Sequence, residues 1–254
     1  MIDIGGSSVK CMNAREGEMR RVKSGPDMGP KKMADAICSE TKDWDFDVVS
    51  IGYPGLVRDG KPAREPLNLG DGWLDYDFEK AFGRPVRLIN DAAMQALGNY
   101  VQGRLLFLGF GTSIGACLVT DDVVVPIEIG LISVGADERV VDRVSKKALK
   151  KHGMNHWSRA VQETVDLLGD VFQPDEIVLG GGNAKRIRKL PGGCRLVDNA
   201  SAYTGAERLW ENSAMYAIAD VSTWKIVRYL THREQAIKRQ AQHRQHGKDT
   251  ALPQ

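Results

Sequence analysis

One arrangement constrains this chain more than any other, because it is written twice. Asp3-Ile4-Gly5-Gly6-Ser7-Ser8-Val9-Lys10 and Gly109-Phe110-Gly111-Thr112-Ser113-Ile114-Gly115-Ala116 each place a strand, a glycine turn with hydroxyl residues, and a second strand. The repetition implies two related lobes facing one cleft. Short β-branched runs predict strands over 8–13, 19–23, 48–53, 86–90, 105–110, 115–120, 123–128 and 176–180. Apolar residues at helical spacing predict helices over 33–41, 92–101, 139–151 and 157–172; in the last, Val161, Val165, Leu168 and Phe172 share one face. Hairpins are expected at Arg15-Glu16-Gly17 and at Asp121-Asp122, so the class is α/β with mixed sheets. The chain divides into an N-terminal lobe over 1–98, a C-terminal lobe over 99–210, and a last stretch over 211–254. That stretch is expected to hold a helix and a basic, disordered tail, since apolar periodicity ends after Ile237.

Charge and cysteine usage exclude several function classes. Lys and Arg total 35 against 33 acids, a formal charge of +2, too balanced for a body-wide grip on nucleic acid or anionic lipid. Neither partner is expected, and phosphate binding must be local. No apolar run approaches the roughly 20 residues of a spanning helix, and the first residues show no basic-then-apolar leader, so a cytoplasmic protein is expected. Cys11, Cys38, Cys117 and Cys194 lie far apart, without a CxxC pair, among apolar or small neighbours. Buried free thiols are expected, and no zinc site.

Four places can carry chemistry. Asp3 with Gly5, Gly6, Ser7 and Ser8 suits a phosphate cradle with a magnesium-facing acid; an ordinary glycine-rich hairpin uses the same residues. Gly111, Thr112 and Ser113 repeat that donor-rich chemistry in the second loop. Gly180, Gly181, Gly182 and Asn183 follow a buried strand, where glycine lets backbone approach a flat ligand such as adenine, or simply makes a turn. Asn90-Asp91 ends a strand and opens a helix, so the Asp91 carboxylate is either an N-cap or a base poised to accept a hydroxyl proton. The five histidines all lie outside these strands and loops, which leaves a carboxylate to act as base. Glu128 at a strand end suits sugar hydroxyls or a surface ion pair; Asn68 and the turn Tyr53-Pro54-Gly55 offer further polar contacts or ordinary loop structure. His152 and His156 have no third ligand near, so no metal is assigned to them.

In this order the motifs resemble the ROK sugar kinases, and within them the polyphosphate-glucokinase-like branch, from Asp3 to about Trp210. Asp3 to Lys10 looks like the first phosphate motif, the segment 52–57 like the GxPG turn, and 68–73 like the sugar-side loop. Asn90-Asp91-Ala92 looks like the sugar-and-base motif, 109–115 like the second phosphate motif, and 180–183 like the adenosine motif. The resemblance implies an actin-like, ribonuclease-H-like, two-lobed fold with its site in the interlobe cleft, usually as a homodimer. It implies phosphoryl transfer from ATP or polyphosphate to a hexose hydroxyl, glucose-like, with Mg²⁺. Asp91 is then the base, Asn90 and Glu128 hold the ring, and Asn68, Pro54 and Gly55 line the sugar side. A catalytically weak sugar-binding or regulatory protein is the other implied outcome. The family's Glu-x-Gly-His stands here as Glu128-Ile129-Gly130-Leu131, and the cysteine cluster of its zinc-binding members is missing, as expected of the polyphosphate-like branch. With only Met1-Ile2 ahead of Asp3 and an atypical ending after Trp210, the first strand is expected to be clipped and both ends altered.

Overall fold

A computed structural model describes residues 1–120, 123–198, 200–211, 217–220 and 225–228. The first lobe is built on β1 (Ile2–Ile4), β2 (Ser8–Met12), β3 (Met19–Lys23), β4 (Val49–Tyr53) and β7 (Val86–Asn90), in the order β3-β2-β1-β4-β7. β1 is antiparallel to β2 and parallel to β4, which is parallel to β7. The small ribbon β5 (Val57–Arg58) and β6 (Lys61–Pro62) stands beside this sheet. Helix α1 (Pro30–Glu40) begins on a proline, which needs no helical N–H partner there, and buries Met33, Ala34 and Ile37. Met33 and Ile37 join Ile2, Ile4, Ile51 and Leu88 in the first core, closed by the short helix α2 (Phe78–Phe82).

The second sheet runs β12-β11-β8-β9-β10-β13-β14. Its strands are β8 (Leu105–Phe110), β9 (Ile114–Thr120), β10 (Val123–Ile127), β11 (Glu176–Gly180), β12 (Cys194–Leu196), β13 (Ala217–Asp220) and β14 (Lys225–Arg228). β8 is a continuous apolar run because both its faces are covered. Helix α3 (Asp91–Asn99) packs on one face with α6 (Ser201–Arg208); α4 (Val140–Val144) and α5 (Lys146–Phe172) pack on the other. The α/β, two-lobed, mixed-sheet class read from the sequence is therefore the observed one.

Several boundaries differ for local reasons. The helix expected over 139–151 breaks at Ser145, whose hydroxyl accepts the Ala148 N–H at 3.2 Å and so starts α5 as an N-cap. α5 continues through the helix expected over 157–172, with one non-helical residue, Gly153, at φ 79°. Cys11 and Cys117 are buried free thiols as expected, whereas Cys38 is exposed on the outer face of α1 and Cys194 is half-exposed on the edge strand β12. The Asp121-Asp122 turn lies outside the described residues, although Val123 pairs with Thr120 across it. In the last stretch, where a helix was expected, the described residues form β13 and β14; the tail over 231–254 lies outside them. The hydrophobic cores divide earlier than residue 98: Leu88 belongs to the first core, and Ile89 with all of α3's buried residues to the second. α6 in turn reaches back to the first sheet, where Ser50 Oγ donates to the Ala206 carbonyl at 2.8 Å.

Candidate functional site

Sheet register puts the first acid opposite the second. Asp3 on β1 pairs with Lys10 on β2 and with Gly52 on β4, and side chains in one register row share a face. Lys10 Nζ stands 3.4 Å from Asp3 Oδ2, both largely shielded from solvent. Next in the row, Gly52 has no side chain, and Asp91 fills that space: a Cβ on Gly52 would lie 3.5 Å from Asp91 Cα and 2.3 Å from Met94 Cε. The start of α3 thus sits on the face that carries Asp3. Asn90 fixes its direction, accepting the Ala93 N–H on Oδ1 at 3.0 Å and donating from Nδ2 to the Gly55 carbonyl at 3.1 Å. Asn90 is therefore an N-cap and a tie to the Pro54-Gly55 turn.

The first glycine loop follows Asp3 directly in the chain, and the second lobe's glycines reach the helix itself. Asn68 is exposed and lies against Gly6, its Cβ 3.0 Å from where a Cβ on Gly6 would stand. The first turn is backed by Ser24, whose hydroxyl donates to the Gly5 carbonyl. In the second lobe Gly180, Gly109 and Gly115 form one register row across β11, β8 and β9. That bare strip lets Ala92 approach within 2.9 Å of a Cβ position on Gly115. The Gly111-Thr112-Ser113 turn connects β8 and β9, with Thr112 and Ser113 exposed. Asn183 joins the third loop to it, donating from its backbone to the Phe110 carbonyl at 2.9 Å and from Nδ2 to the Gly111 carbonyl at 3.1 Å. Lys146, the first residue of α5, also donates its N–H to Gly111, at 3.0 Å. Glu128 is exposed after β10, ahead of the short 3-10 turn that ends in Leu131, which is 57% exposed.

Electrostatics couple Asp91 to two of the other acids. Burial, then the charges of Asp3 and Glu128, push the Asp91 carboxyl up to about 7, against the Ala92 N–H that favours its ionised form. Burial also raises the Asp3 carboxyl, and Lys10 partly offsets this. Desolvated acids facing each other attract a cation. Among the described residues no three His, Cys, Asp or Glu side chains gather as a metal cage. An ion held by one carboxylate, water and substrate phosphate oxygens is the usual magnesium arrangement, and Asp3 beside the Gly5-Gly6 turn fits it. If Asp91 accepts a proton during turnover, kcat/KM should rise with pH through about 7, because only its ionised form is competent. A flat profile from about pH 5.5 to 8.5 would exclude it from that role.

Gly52 and Gly115 open and close the motif segments 52–57 and 109–115, but the space they leave for α3, like the backing of the first turn by Ser24, is visible only once the strands are in register. Among the described residues no helix is long and apolar enough to cross a membrane.

No protein-family model matches the chain, and no curated protein does. Solved structures do. The chain is similar to the inorganic polyphosphate/ATP-glucomannokinase from Arthrobacter sp. strain KM, with 25% identity over 81% of this chain and 94% of that one, at a TM-score of 0.68. A ROK family glucokinase from Streptomyces griseus, in complex with glucose and AMPPNP, is 17% identical over 81% and 96%, at 0.66. A ROK family transcriptional regulator, a homologue of the E. coli MLC protein, is 16% identical over 81% and 78%, at 0.59. These similarities extend over most of both chains in each kinase: the chain has the fold of the ROK sugar kinases.

Proposed function

We propose that this chain is a sugar kinase that transfers a phosphoryl group from ATP to a hydroxyl of a glucose-like hexose, acting in the cytoplasm as a homodimer. The observation that carries the proposal is the position of Asp91: one half-buried carboxylate at the start of α3, against the row that carries Asp3 and beside the strip that carries the second glycine loop. Phosphoryl transfer has a loose transition state, so it asks mainly for positioning and neutralised charge. Asp91 takes the proton from the attacking hydroxyl. Asn90, with one N–H free of its two internal bonds, and Glu128 hold the ring, and Asn68 with the Pro54-Gly55 turn lines its other side. Backbone N–H groups and hydroxyls of Gly5 to Ser8 and of Gly111 to Ser113 orient the donor phosphates, Lys10 balances Asp3, and Gly180 to Asn183 form the adenosine side. Mg²⁺ bound at Asp3 would screen the donor's charge.

The donor is the finer point. Lys146, Lys147, Lys150 and Lys151 are exposed on α5, whose first N–H bonds the Gly111 carbonyl, and the exposed Lys185, Arg186, Arg188 and Lys189 follow Asn183, which bonds the same carbonyl. Such a track suits inorganic polyphosphate as a second donor. A matrix of hexoses against ATP and polyphosphate tests both points, and glucose with ATP is expected to give the highest turnover. Polyphosphate turnover without ATP turnover would reverse the order of donors. Exposed Leu131 beside the sugar side favours a second reading, a sugar-binding regulator. Saturable sugar binding by calorimetry with no turnover on any donor would establish it in place of the kinase.

A further inference from the structure

The face of the first sheet that carries Asp3 is acidic at one end of a register row and basic at the other. Across the strands the row runs Arg21 on β3, Lys10 on β2, Asp3 on β1 and Gly52 on β4. One step nearer the glycine loop, Lys23 stands opposite Ser8. Alternate strand positions share a face, so Lys10, Arg21, Lys23 and Ser8 form one patch. Like charges directly opposed across a sheet are destabilising, and Lys10 is opposed to Arg21. Asp3 compensates Lys10, at 3.4 Å. Arg21 and Lys23 are exposed, and neither side chain makes a hydrogen bond or an ion pair with a described residue. Away from the glycine loop the next pair is Met12 and Met19, and Tyr203 of α6 reaches it, donating its hydroxyl to Met19 Sδ at 2.9 Å. Burial, then the charge of Asp3, raises the Tyr203 hydroxyl above its ordinary range and Arg21 opposes the rise, so this hydroxyl lies within electrostatic reach of the patch.

Lysine on an edge strand can serve simply to block pairing with another chain, and β3 is such a strand. That role requires neither a cation opposed to a cation nor hydroxyls beside them. Three cations against one carboxylate leave two positive charges uncompensated. A phosphate group carries nearly two negative charges at neutral pH and three strong acceptor oxygens, so it matches both the charge and the donors. A carboxylate supplies half that charge. The patch also lies apart from the reacting centre. From β3 to β4 are three strand spacings of about 4.8 Å, so roughly 14 Å separates Arg21 from Gly52, against which Asp91 packs. We propose that Lys10, Arg21, Lys23 and Ser8 form a second anion site, separate from the place of phosphoryl transfer, that takes the phosphate group of free phosphate or of a phosphate monoester. The site does not depend on the kinase reading, because binding alone tests it.

The test titrates the full chain with inorganic phosphate and, separately, with glucose 6-phosphate, at low ionic strength and about pH 7.5, where phosphate is a dianion. The readout is the NMR amide signals of Val22 and Tyr203, which flank the patch. Saturable shifts with a Kd of about 1 mM or tighter are expected. Acetate at equal ionic strength should bind at least about tenfold more weakly. The exposed double variant Arg21→Gln/Lys23→Gln should weaken phosphate binding at these signals at least about tenfold and leave Tm unchanged. Arg21→Lys/Lys23→Arg keeps both charges and should bind within about threefold of the parent. Tighter binding of glucose 6-phosphate than of inorganic phosphate identifies a sugar phosphate as the ligand, and equal binding identifies free phosphate. No saturation at Val22 and Tyr203, equal binding of acetate, or unchanged affinity in the glutamine variant would each overturn the proposal.

Discussion

Asp91→Asn is expected to lose about 10²–10⁴-fold in kcat while sugar binding changes little, because a general base contributes that much and the amide keeps the shape of the carboxylate. Stability should move the other way. Asp91's carboxyl is raised in the folded protein, to about 7 from an ordinary 3.8. The unfolded chain therefore releases this proton more readily than the native one. Folding stability falls as pH rises from about 4 through about 7, and the deficit is fully present above that. Asn carries no charge to bury, so the variant should melt higher than the parent at pH 8 and about equally at pH 4 or below. A carboxylate that served only the first turn of α3, accepting the Ala92 N–H, would give the opposite pattern, lower stability with activity retained. Denaturation at the two pH values, with turnover measured on the same preparations, separates these outcomes. Near-parental kcat in Asp91→Asn would remove the base from the mechanism.

The pH argument also shows what a sequence can carry. Asp91 was legible because a strand ending in Asn-Asp ahead of a helix has few uses, and the histidines fall elsewhere. The environment that raises its carboxyl was not, since Asp3 on β1 and Glu128 just beyond β10 lie 88 and 37 residues away and act on it only once the chain has folded. β8 and β11 were legible as unbroken apolar runs, the mark of strands covered on both faces. α6 and β12 escaped notice: three residues of edge strand carry too little pattern. Ser201–Arg208 packs through small residues rather than an apolar stripe. The first loop's glycines are plain in the sequence, but that Asn68 stands over Gly6 is decided by the loop that Glu65 orders, its carboxylate accepting the Gly72 and Trp73 N–H groups at 3.1 Å.

The contact of the expected helix α3 with the unexpected α6 gives the second large effect. α3 and α6 touch backbone to backbone: a Cβ on Gly205 would stand 1.8 Å from the Met94 carbonyl oxygen, and one on Gly98 would stand 1.8 Å from that of Ser201. No side-chain adjustment relieves such contacts, so the helices must separate. Separation has a further cost, because α6 holds the end of α3 through Arg208, which donates to the Leu97 and Tyr100 carbonyls, and holds β4 through Ser50, which accepts from Trp210 Nε1 at 2.9 Å. Gly205→Ala should accordingly destabilise by about 3 kcal/mol, at the upper end for overpacking, lowering Tm by roughly 6–12 °C. Intrinsic helix propensity favours alanine by about 1 kcal/mol, so the predicted sign is opposite to that of an exposed helix. Gly192→Ala, where a Cβ meets nothing within 4 Å, is the control and should stay within about 0.5 kcal/mol of the parent. Because α3 is one rigid element with Asp91 at its other end, Gly205→Ala should also lower kcat at temperatures where the variant remains folded. Unchanged Tm and turnover would show that the two helices part freely, and that the base is held by β7 and the Asn90 cap alone.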